Sequence, residues 1–205
     1  MDNLIIKKGQ TKVIFDNGSL ENCTFDVEEN AALTYVFILS GGVKRTEILV
    51  RLLGKSSSSS VFGIFYGEKK DEFQIVIRTI HKASDSSGQT FVKGILDGES
   101  KCIFLGLVDI EKSASGSCDI LRQDTLLLSS QSRVESLPHM EIKANNAIAK
   151  HSVTSSGLSD EQILYLQMRG IDPKTSRKLM IEGFLLEILN KLPKQLRKNI
   201  ICPLR

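Results

Sequence analysis

Three histidines are the residues of this 205-residue chain best suited to acid–base chemistry or metal binding near neutral pH. His81 follows the apolar run FQIVIRTI, and we expect it to be a turn residue that is hydrogen-bonded to nearby backbone. His139 lies in LPHMEI, where alternation with Met140 and Ile142 predicts that it faces solvent. His151 lies in ANNAIAKHS, and Ala147 and Ala149 would share its face of a strand. A lone imidazole ligates iron only if other donors come from elsewhere in the fold or from a partner.

The four cysteines are the other side chains with metal-binding or redox chemistry. Cys23, Cys102, Cys118 and Cys202 are far apart, and no two of them have the two-residue spacing of zinc knuckles and redox motifs. We therefore predict four separate thiols, most of them buried as small apolar residues. A disulfide framework is not expected, because a chain of this length can bury a core without covalent cross-links.

Nucleotide-binding and hydrolase motifs are absent from the sequence. There is no G-x-G-x-x-G, no P-loop, no G-x-S-x-G and no H-E-x-x-H. The apolar runs are mostly neutral, whereas a β-helical enzyme would be expected to carry charged residues that converge on one face of successive strands. We therefore expect no enzymatic activity.

Composition and charge limit the partners that the chain could have. It is 41% hydrophobic and 25% charged, as expected for a globular protein with one core. The net charge is +3, and the segment from Ser159 onward, with nine basic and five acidic residues, is the basic part. Its last stretch, KLPKQLRKNIICPLR, lacks the interleaved aromatic residues of many nucleic-acid-binding surfaces. No nucleic acid partner is therefore expected.

The sequence also predicts that the chain is not attached to a membrane. It has no stretch of about 18 unbroken apolar residues, which a spanning helix would need. The first residues, MDNLIIKKGQ, lack the basic end and apolar stretch of a signal peptide. We therefore expect a cytoplasmic protein.

Up to about Val153 the sequence predicts short β-strands. Runs rich in Val, Ile, Phe and Thr, such as LTYVFIL, TEILVRLL and FQIVIRTI, are bounded by Gly, Asp, Asn and Ser. From Val61 onward the runs begin about every dozen to sixteen residues, which fits a sandwich as well as a solenoid. The serine run KSSSSS, residues 55–60, is interpreted as a long turn within one domain, because strand patterns flank it closely.

From residue 158 onward the pattern becomes helical. This change divides the chain into a β-helix or sandwich core, residues 1–157, and a C-terminal helical segment, residues 158–205. Ser159 and Gln162 form a capping box that predicts the start of a helix. Gly170 predicts its end, because glycine tolerates the left-handed conformation found there.

The second predicted helix has more apolar side chains than one packing face requires. It begins at the N-cap Asp172, with Pro173 at its first position. Its apolar residues cover more than a stripe of about 100°, so the surplus could contact either the neighbouring helix or another protein chain. Gly183, which costs about 1 kcal/mol of helix propensity relative to alanine, predicts a close approach against that face. The residues that we assign to partner binding are Leu179, Met180, Phe184, Leu185 and Ile188.

An ordered series of segments carries a family resemblance. The series is IHKASDSSGQTFVKGILDGESKCIFLGLVDI, LRQDTLLLS, PHMEIKANNAIAKHS and LSDEQILYLQMRGIDPKTSRKLMIEGFLLEIL, covering roughly residues 60–190. It is similar to the SufB/SufD family, the scaffold proteins of the Suf iron–sulfur cluster assembly system. The resemblance implies a mainly β fold, a right-handed parallel β-helix with a short C-terminal α-helical segment. It also implies pairing with a SufB-like subunit through the β-helix and with SufC, an ABC-type ATPase, through the helices.

Two positions make the chain nearer to SufD than to SufB. The SufB type has a cysteine where this chain has Gln123 and a glutamate where it has His151. The SufD type has a histidine at the latter position, in a Cys-Ser-His motif that here reads Ala149-Lys150-His151. The resemblance therefore implies a SufD-like scaffold subunit. It makes His151 the candidate residue for ligating iron, or for building a transient iron–sulfur cluster, at the SufB-type interface.

Three alternatives stay open. His151 would be structural if it only ended the last strand and hydrogen-bonded the turn into the first helix. The chain would be a β-helix scaffold with no direct role at the cluster if loss of the family cysteine removed that role. It would be a homodimeric binding module if it paired with itself through the edge meant for SufB. In no case is a cofactor expected to be bound stably.

Overall fold

The chain forms twelve β-strands. Within them apolar and polar residues mostly alternate, and turn-forming residues separate one strand from the next. The computed structural model describes residues 2–192, 194, 196 and 197, and 54% of it is strand. The strands are β1 Asp2–Ile6, β2 Thr11–Asp16, β3 Asn22–Val27, β4 Ala32–Ser40, β5 Val43–Leu52, β6 Ser58–Gly67, β7 Glu72–His81, β8 Ser87–Leu96, β9 Lys101–Ile110, β10 Cys118–Leu127, β11 Arg133–Ile142 and β12 Ile148–Gly157. Two helices follow them, α1 Asp160–Met168 and α2 Pro173–Lys191.

The strands alternate between two sheets that wind into a solenoid. The first sheet has the order β1-β3-β5-β7-β9-β11 and the second the order β12-β10-β8-β6-β4-β2. Ser87, Cys118 and Ile148 are in register on neighbouring strands, so successive turns take 31 and 30 residues. All strand pairs of the described residues are parallel, which excludes an antiparallel sandwich. The parallel β-helix that the family resemblance implies is confirmed, with about five turns.

The core lies between the two sheets, where the inward side chains of successive turns stack on one another. The largest completely buried side chains include Tyr35, Phe37, Phe65 and Phe104. Two glycines make room for such rings. A Cβ on Gly63 would lie 2.2 Å from Phe37 Cζ, and one on Gly94 would lie 1.9 Å from Phe65 Cζ. Glycine inside these strands is therefore a packing requirement, because each ring occupies the space over the next turn.

The serine run at residues 55–60 is only partly a turn, contrary to the interpretation from the sequence. β6 begins at Ser58, and the side chains of Ser57 and Ser59 are buried. Ser59 is in register with Gly88 of the next turn. Small side chains fit these inward positions, where neighbouring turns pack closely. The interpretation as part of one domain agrees with this position inside the solenoid.

The N-caps predicted at Ser159 and Asp172 are confirmed, although the described residues lack the return bond of the capping box, from the Gln162 side chain to the Ser159 N–H. The Ser159 side chain accepts a hydrogen bond from the backbone N–H of Gln162 (3.3 Å), and the Asp172 side chain accepts one from Thr175 (3.0 Å). Gly170 has φ = 83° and ends the first helical stretch. In the described part of the chain, neither helix is long and apolar enough to cross a membrane.

The second helix covers the outer face of the second sheet. Leu185 and Ile188 are each 1% exposed and belong to a buried cluster with Val36, Ile38, Phe62, Ile64, Ile95 and Leu126. Glu187 of α2 also pairs with Arg122 (2.8 Å) and Lys93 (3.1 Å) of the sheet. One part of the apolar surplus on this helix is therefore used for docking on the chain's own solenoid.

Candidate functional site

The solenoid is open at its C-terminal end. β11 and β12 are the last strands of their sheets, and no described strand lies beyond them. Each strand therefore leaves one row of backbone N–H and C=O groups without a partner strand. We call these two strands, with their unpaired edges, the open end. Large apolar side chains are exposed there, namely Leu137, Ile142, Ile148 and Val153.

His151 lies at the open end, on the inner side of the second sheet. It is in register with Leu121, which is buried in the core, and in-register residues of parallel strands point to the same face. Ala147 and Ala149 pack against the same core, so the shared face predicted from the sequence is confirmed. His151 is nevertheless exposed, since no turn that the structure describes lies beyond it.

The purely structural role considered for His151 is not supported. β12 continues beyond His151 to Gly157, so this residue does not end the last strand. The side chain that caps the first helix is that of Ser159, which accepts from Gln162. The imidazole is thus accessible at the open end.

Neither Gln123 nor Cys118 places a second possible metal ligand beside His151. Gln123 is completely buried, and its side-chain carbonyl accepts a hydrogen bond from Ser136 Oγ (2.7 Å). Cys118 is exposed, but it is in register with Ile148 and therefore lies on the face of the sheet opposite to that of His151. Across the described ranges, no group of three or more His, Cys, Asp or Glu residues could hold a metal ion.

His81 is a buried core residue, which corrects its assignment as a turn residue bonded to backbone. Its Nε2 lies 2.9 Å from Asp119 Oδ2 and its Nδ1 lies 2.8 Å from Ser86 Oγ. All three side chains are 0–1% exposed. Nε2–H of the imidazole donates to the Asp119 carboxylate, and the Ser86 hydroxyl, which donates to the Ala83 carbonyl (2.9 Å), lies within hydrogen-bond distance of Nδ1. The sequence carried no signal for this triad, because Asp119 lies 38 residues from His81. His139, by contrast, is exposed as predicted.

The cysteines fall into two groups. Cys23 and Cys102 are buried, and burial raises the pKa of the Cys23 thiol to about 11 and that of the Cys102 thiol to about 12. Cys118 is exposed, whereas the sequence predicted that most of the thiols are buried. Cys202 lies outside the described residues.

We expect iodoacetamide at neutral pH to alkylate Cys118 in the native protein, and Cys23 and Cys102 only after unfolding. The thiolate is the reactive form, and burial both disfavours it and blocks access to it. Peptide mass mapping before and after denaturation measures the difference, with Cys118→Ser as the control that removes the label from the peptide containing residue 118. Native labelling of Cys102 as fast as that of Cys118 would contradict the burial.

The residues assigned to partner binding are divided between the interior and the surface. The side chains of Leu185 and Ile188 are taken up by packing within the chain, because they face the second sheet. Leu179 is 43% exposed, and Met180 and Phe184 are partly exposed. A role of these three in binding a partner stays a prediction.

α1 has exposed apolar side chains that the sequence analysis did not assign to partner binding. Leu164, Tyr165 and Met168 are 56%, 57% and 78% exposed. With Met180 of α2, side chains of α1 line a groove of about 480 Å³. We call the exposed apolar residues of both helices the helical surface; they are Leu164, Tyr165, Met168, Leu179 and Leu186. The available signal was the run ILYLQM, which has apolar residues around most of the helix.

Gly183 lies on an open part of α2. A Cβ placed on it would meet no atom within 4 Å. The close approach predicted at this glycine is therefore wrong within the described chain, because α2 turns its other side to the sheet.

The fold and the site together define a class of protein, a parallel β-solenoid with an open end and a helical hairpin docked on one of its sheets. The chain belongs to the SufBD family. Residues 16–184 match the family model described as "SUF system FeS cluster assembly, SufBD core domain". The match covers most of the solenoid and continues into α2, so both parts of the chain belong to the family core.

Similar proteins come from a plant and from bacteria. The chain is 27% identical over 144 residues to "Iron-sulfur cluster assembly SufBD family protein ABCI8, chloroplastic" of Arabidopsis thaliana, covering 70% of this chain and 26% of that protein. It is 29% identical over 142 residues to a SufBD family protein of Staphylococcus epidermidis, covering 69% and 30%. A Mycobacterium leprae member is 26% identical over 184 residues, covering 85% and 47%. The chain thus spans less than half the length of these relatives.

Proposed function

We propose that this chain is a SufD-like scaffold subunit of the Suf iron–sulfur cluster assembly complex. The observation that carries the proposal is His151, exposed on the inner side of the last strand. The resemblance aligns this residue with the SufD histidine. Imidazole and thiolate together suit iron. The thiolate would come from a SufB-like partner, since this chain has Gln123 where the SufB type has cysteine.

The proposal assigns the open end to the SufB-like subunit. Unpaired strand edges readily pair with further strands. The exposed apolar side chains Leu137, Ile142, Ile148 and Val153 would add buried area to such a contact. A second solenoid placed there would bring its own ligands to His151. The cluster would then be transient and shared between two chains, not bound stably by this one.

The proposal assigns the helical surface to the SufC-like ABC-type ATPase. The groove that α1 and Met180 line and the exposed apolar side chains on both helices favour a protein partner, because exposed apolar grooves mark interaction sites. The sequence has no P-loop, so ATP binding and hydrolysis would belong to that partner. This chain would itself have no turnover, no nucleic acid partner and no membrane attachment. Its cytoplasmic location is part of the same proposal.

Co-expression tests the proposal. We expect the chain to co-purify with the SufB- and SufC-like proteins of the same cell and the complex to build a cluster under anaerobic reconstitution. His151→Ala should leave the complex intact and lower its iron and sulfide content several-fold, because one ligand at the interface is lost. The measurement is iron and sulfide analysis of both purified complexes.

The matched control is His139→Ala, which removes an exposed imidazole from β11, where it lies in register with Leu107 and away from the inner face. It should build the cluster as the wild type does. Failure of the wild-type chain to form any complex would refute the proposed function. Equal cluster content with and without the His151 imidazole would leave the chain as a scaffold with no role at the cluster.

A further inference from the structure

The two strands of the open end differ in which backbone groups face outward. In a parallel sheet, the N–H and C=O groups of one residue point to one neighbouring strand and those of the next residue to the other. On β12 the N–H of Ile148 donates to the Ser117 carbonyl, just before β10 (3.0 Å). Even-numbered residues of β12 therefore bond to β10. The outward groups belong to Ala149, His151, Val153, Ser155 and Gly157.

On β11 the even-numbered residues face outward. Arg133 N–H donates to the Ser100 carbonyl (3.0 Å) and Lys143 N–H to the Ile110 carbonyl (2.8 Å), both on the side of β9. Pro138 is even-numbered and lies in the middle of this ten-residue strand. Proline has no N–H. The outward edge of β11 therefore lacks its central donor, whereas β12 contains no proline.

We propose that the open end receives a partner strand along β12 alone, and that Pro138 keeps the edge of β11 closed to strand addition. This inference rests on the proposed function, since the occupant is the terminal strand of a SufB-like solenoid. Proline on an edge strand is a common means of blocking strand addition. β11 contributes to the contact through side chains only.

The spacing of the outward backbone groups on β12 favours pairing with an extended strand. Outward donors and acceptors recur at every second residue, about 6.6 Å apart, and an extended backbone satisfies such a row. An isolated peptide would cover this row but not the apolar side chains of the neighbouring strand. The end of a second solenoid would also cover Leu137 and Ile142 of β11, which are 48% and 46% exposed.

Strand addition along β12 also positions the candidate cluster residue. The backbone of His151 belongs to the outward row, and its side chain points to the inner face. A partner strand bonded to this row would hold the His151 backbone directly. Inward side chains of the partner strand would then lie next to the His151 imidazole, across the interface between the two solenoids.

A matched pair of proline substitutions tests the inference. Val153 of β12 and Val134 of β11 both have an outward N–H. We expect Val153→Pro to weaken binding of the SufB-like subunit about ten-fold or more, the cost of leaving partner hydrogen bonds unmade. Val134→Pro should change the affinity less than about two-fold. Affinities are measured by titration, and circular dichroism verifies that both variants are folded.

Hydrogen exchange of the wild-type chain gives a second readout that needs no variant. Complex formation should slow exchange at the outward amides of β12, at residues 149, 151, 153 and 155, more than at residues 134, 136, 140 and 142 of β11. If a complex forms and Val134→Pro blocks it, or the β11 amides gain the greater protection, the inference is overturned and the proposed function stands. If the wild-type chain binds no SufB-like subunit, both are refuted.

Discussion

Replacement of His81 by alanine is expected to lower the free energy of unfolding by about 3–5 kcal/mol, because it removes a buried ring and leaves the buried Asp119 side chain without its hydrogen-bond donor. His81 Nε2 donates to Asp119 Oδ2 at 2.9 Å, and Asp119 Oδ1 has no hydrogen-bond partner in the described part of the chain. Without the imidazole, the carboxyl group would lie in the core without a donor. The cavity left by the ring would add to the cost. Urea unfolding followed by circular dichroism measures the change.

Two controls separate this pair from general effects of losing a histidine. His139→Ala should change the stability by less than about 0.5 kcal/mol, since His139 is exposed. The double variant His81→Ala/Asp119→Ala should be more stable than the sum of the two single changes predicts, because neither partner is then left unpaired. Wild-type stability of His81→Ala would show that the pair does not hold neighbouring turns together.

Replacement of Leu185 by alanine is expected to destabilise the chain by about 2–5 kcal/mol. Leu185 is 1% exposed and packs in the cluster that joins α2 to the second sheet. The change would leave a cavity under the helix and loosen its docking. Thermal unfolding and limited proteolysis of the helical segment measure the two effects.

Leu186 is the matched control on the same helix. It is 55% exposed, since consecutive helical residues point about 100° apart. Leu186→Ala should cost less than about 0.5 kcal/mol of stability. Under the proposed function it should weaken binding of the SufC-like ATPase, because Leu186 belongs to the helical surface. If Leu186→Ala destabilised the isolated chain as much as Leu185→Ala, the docking of α2 described above would be wrong.

Local patterns predicted the secondary structure well where one short segment contains all the relevant residues. The caps at Ser159 and Asp172 are confirmed, because each depends on a side chain and a backbone N–H three residues later. The predicted apolar runs omit β1, β3 and β12, although the alternation around His151 predicts a strand in β12. β3, NCTFDV, mixes apolar and polar residues, and it becomes a strand by pairing in register with β5.

For the candidate site, the sequence predicted the strand face of His151, by its alternation with Ala147 and Ala149. The assignment of His151 to a cluster rests on the resemblance to the SufD type and stays a prediction. The unequal edges of β11 and β12 could not be derived from the sequence. The presence of Pro138 is visible there, but the direction of its missing N–H depends on which residues of β11 bond to β9.

By itself, the sequence determined where both helices begin, where the first one ends, most of the strands, and which residues share a strand face. These properties depend on residues within a few positions of one another. Only the tertiary structure decided that His81 meets Asp119 and that Leu185 is buried while Leu186 is exposed. It alone showed which edge of the open end keeps its donors. Contacts in a solenoid join residues about one turn apart, 30 or 31 positions here, and burial depends on what the next turn or a docked helix covers.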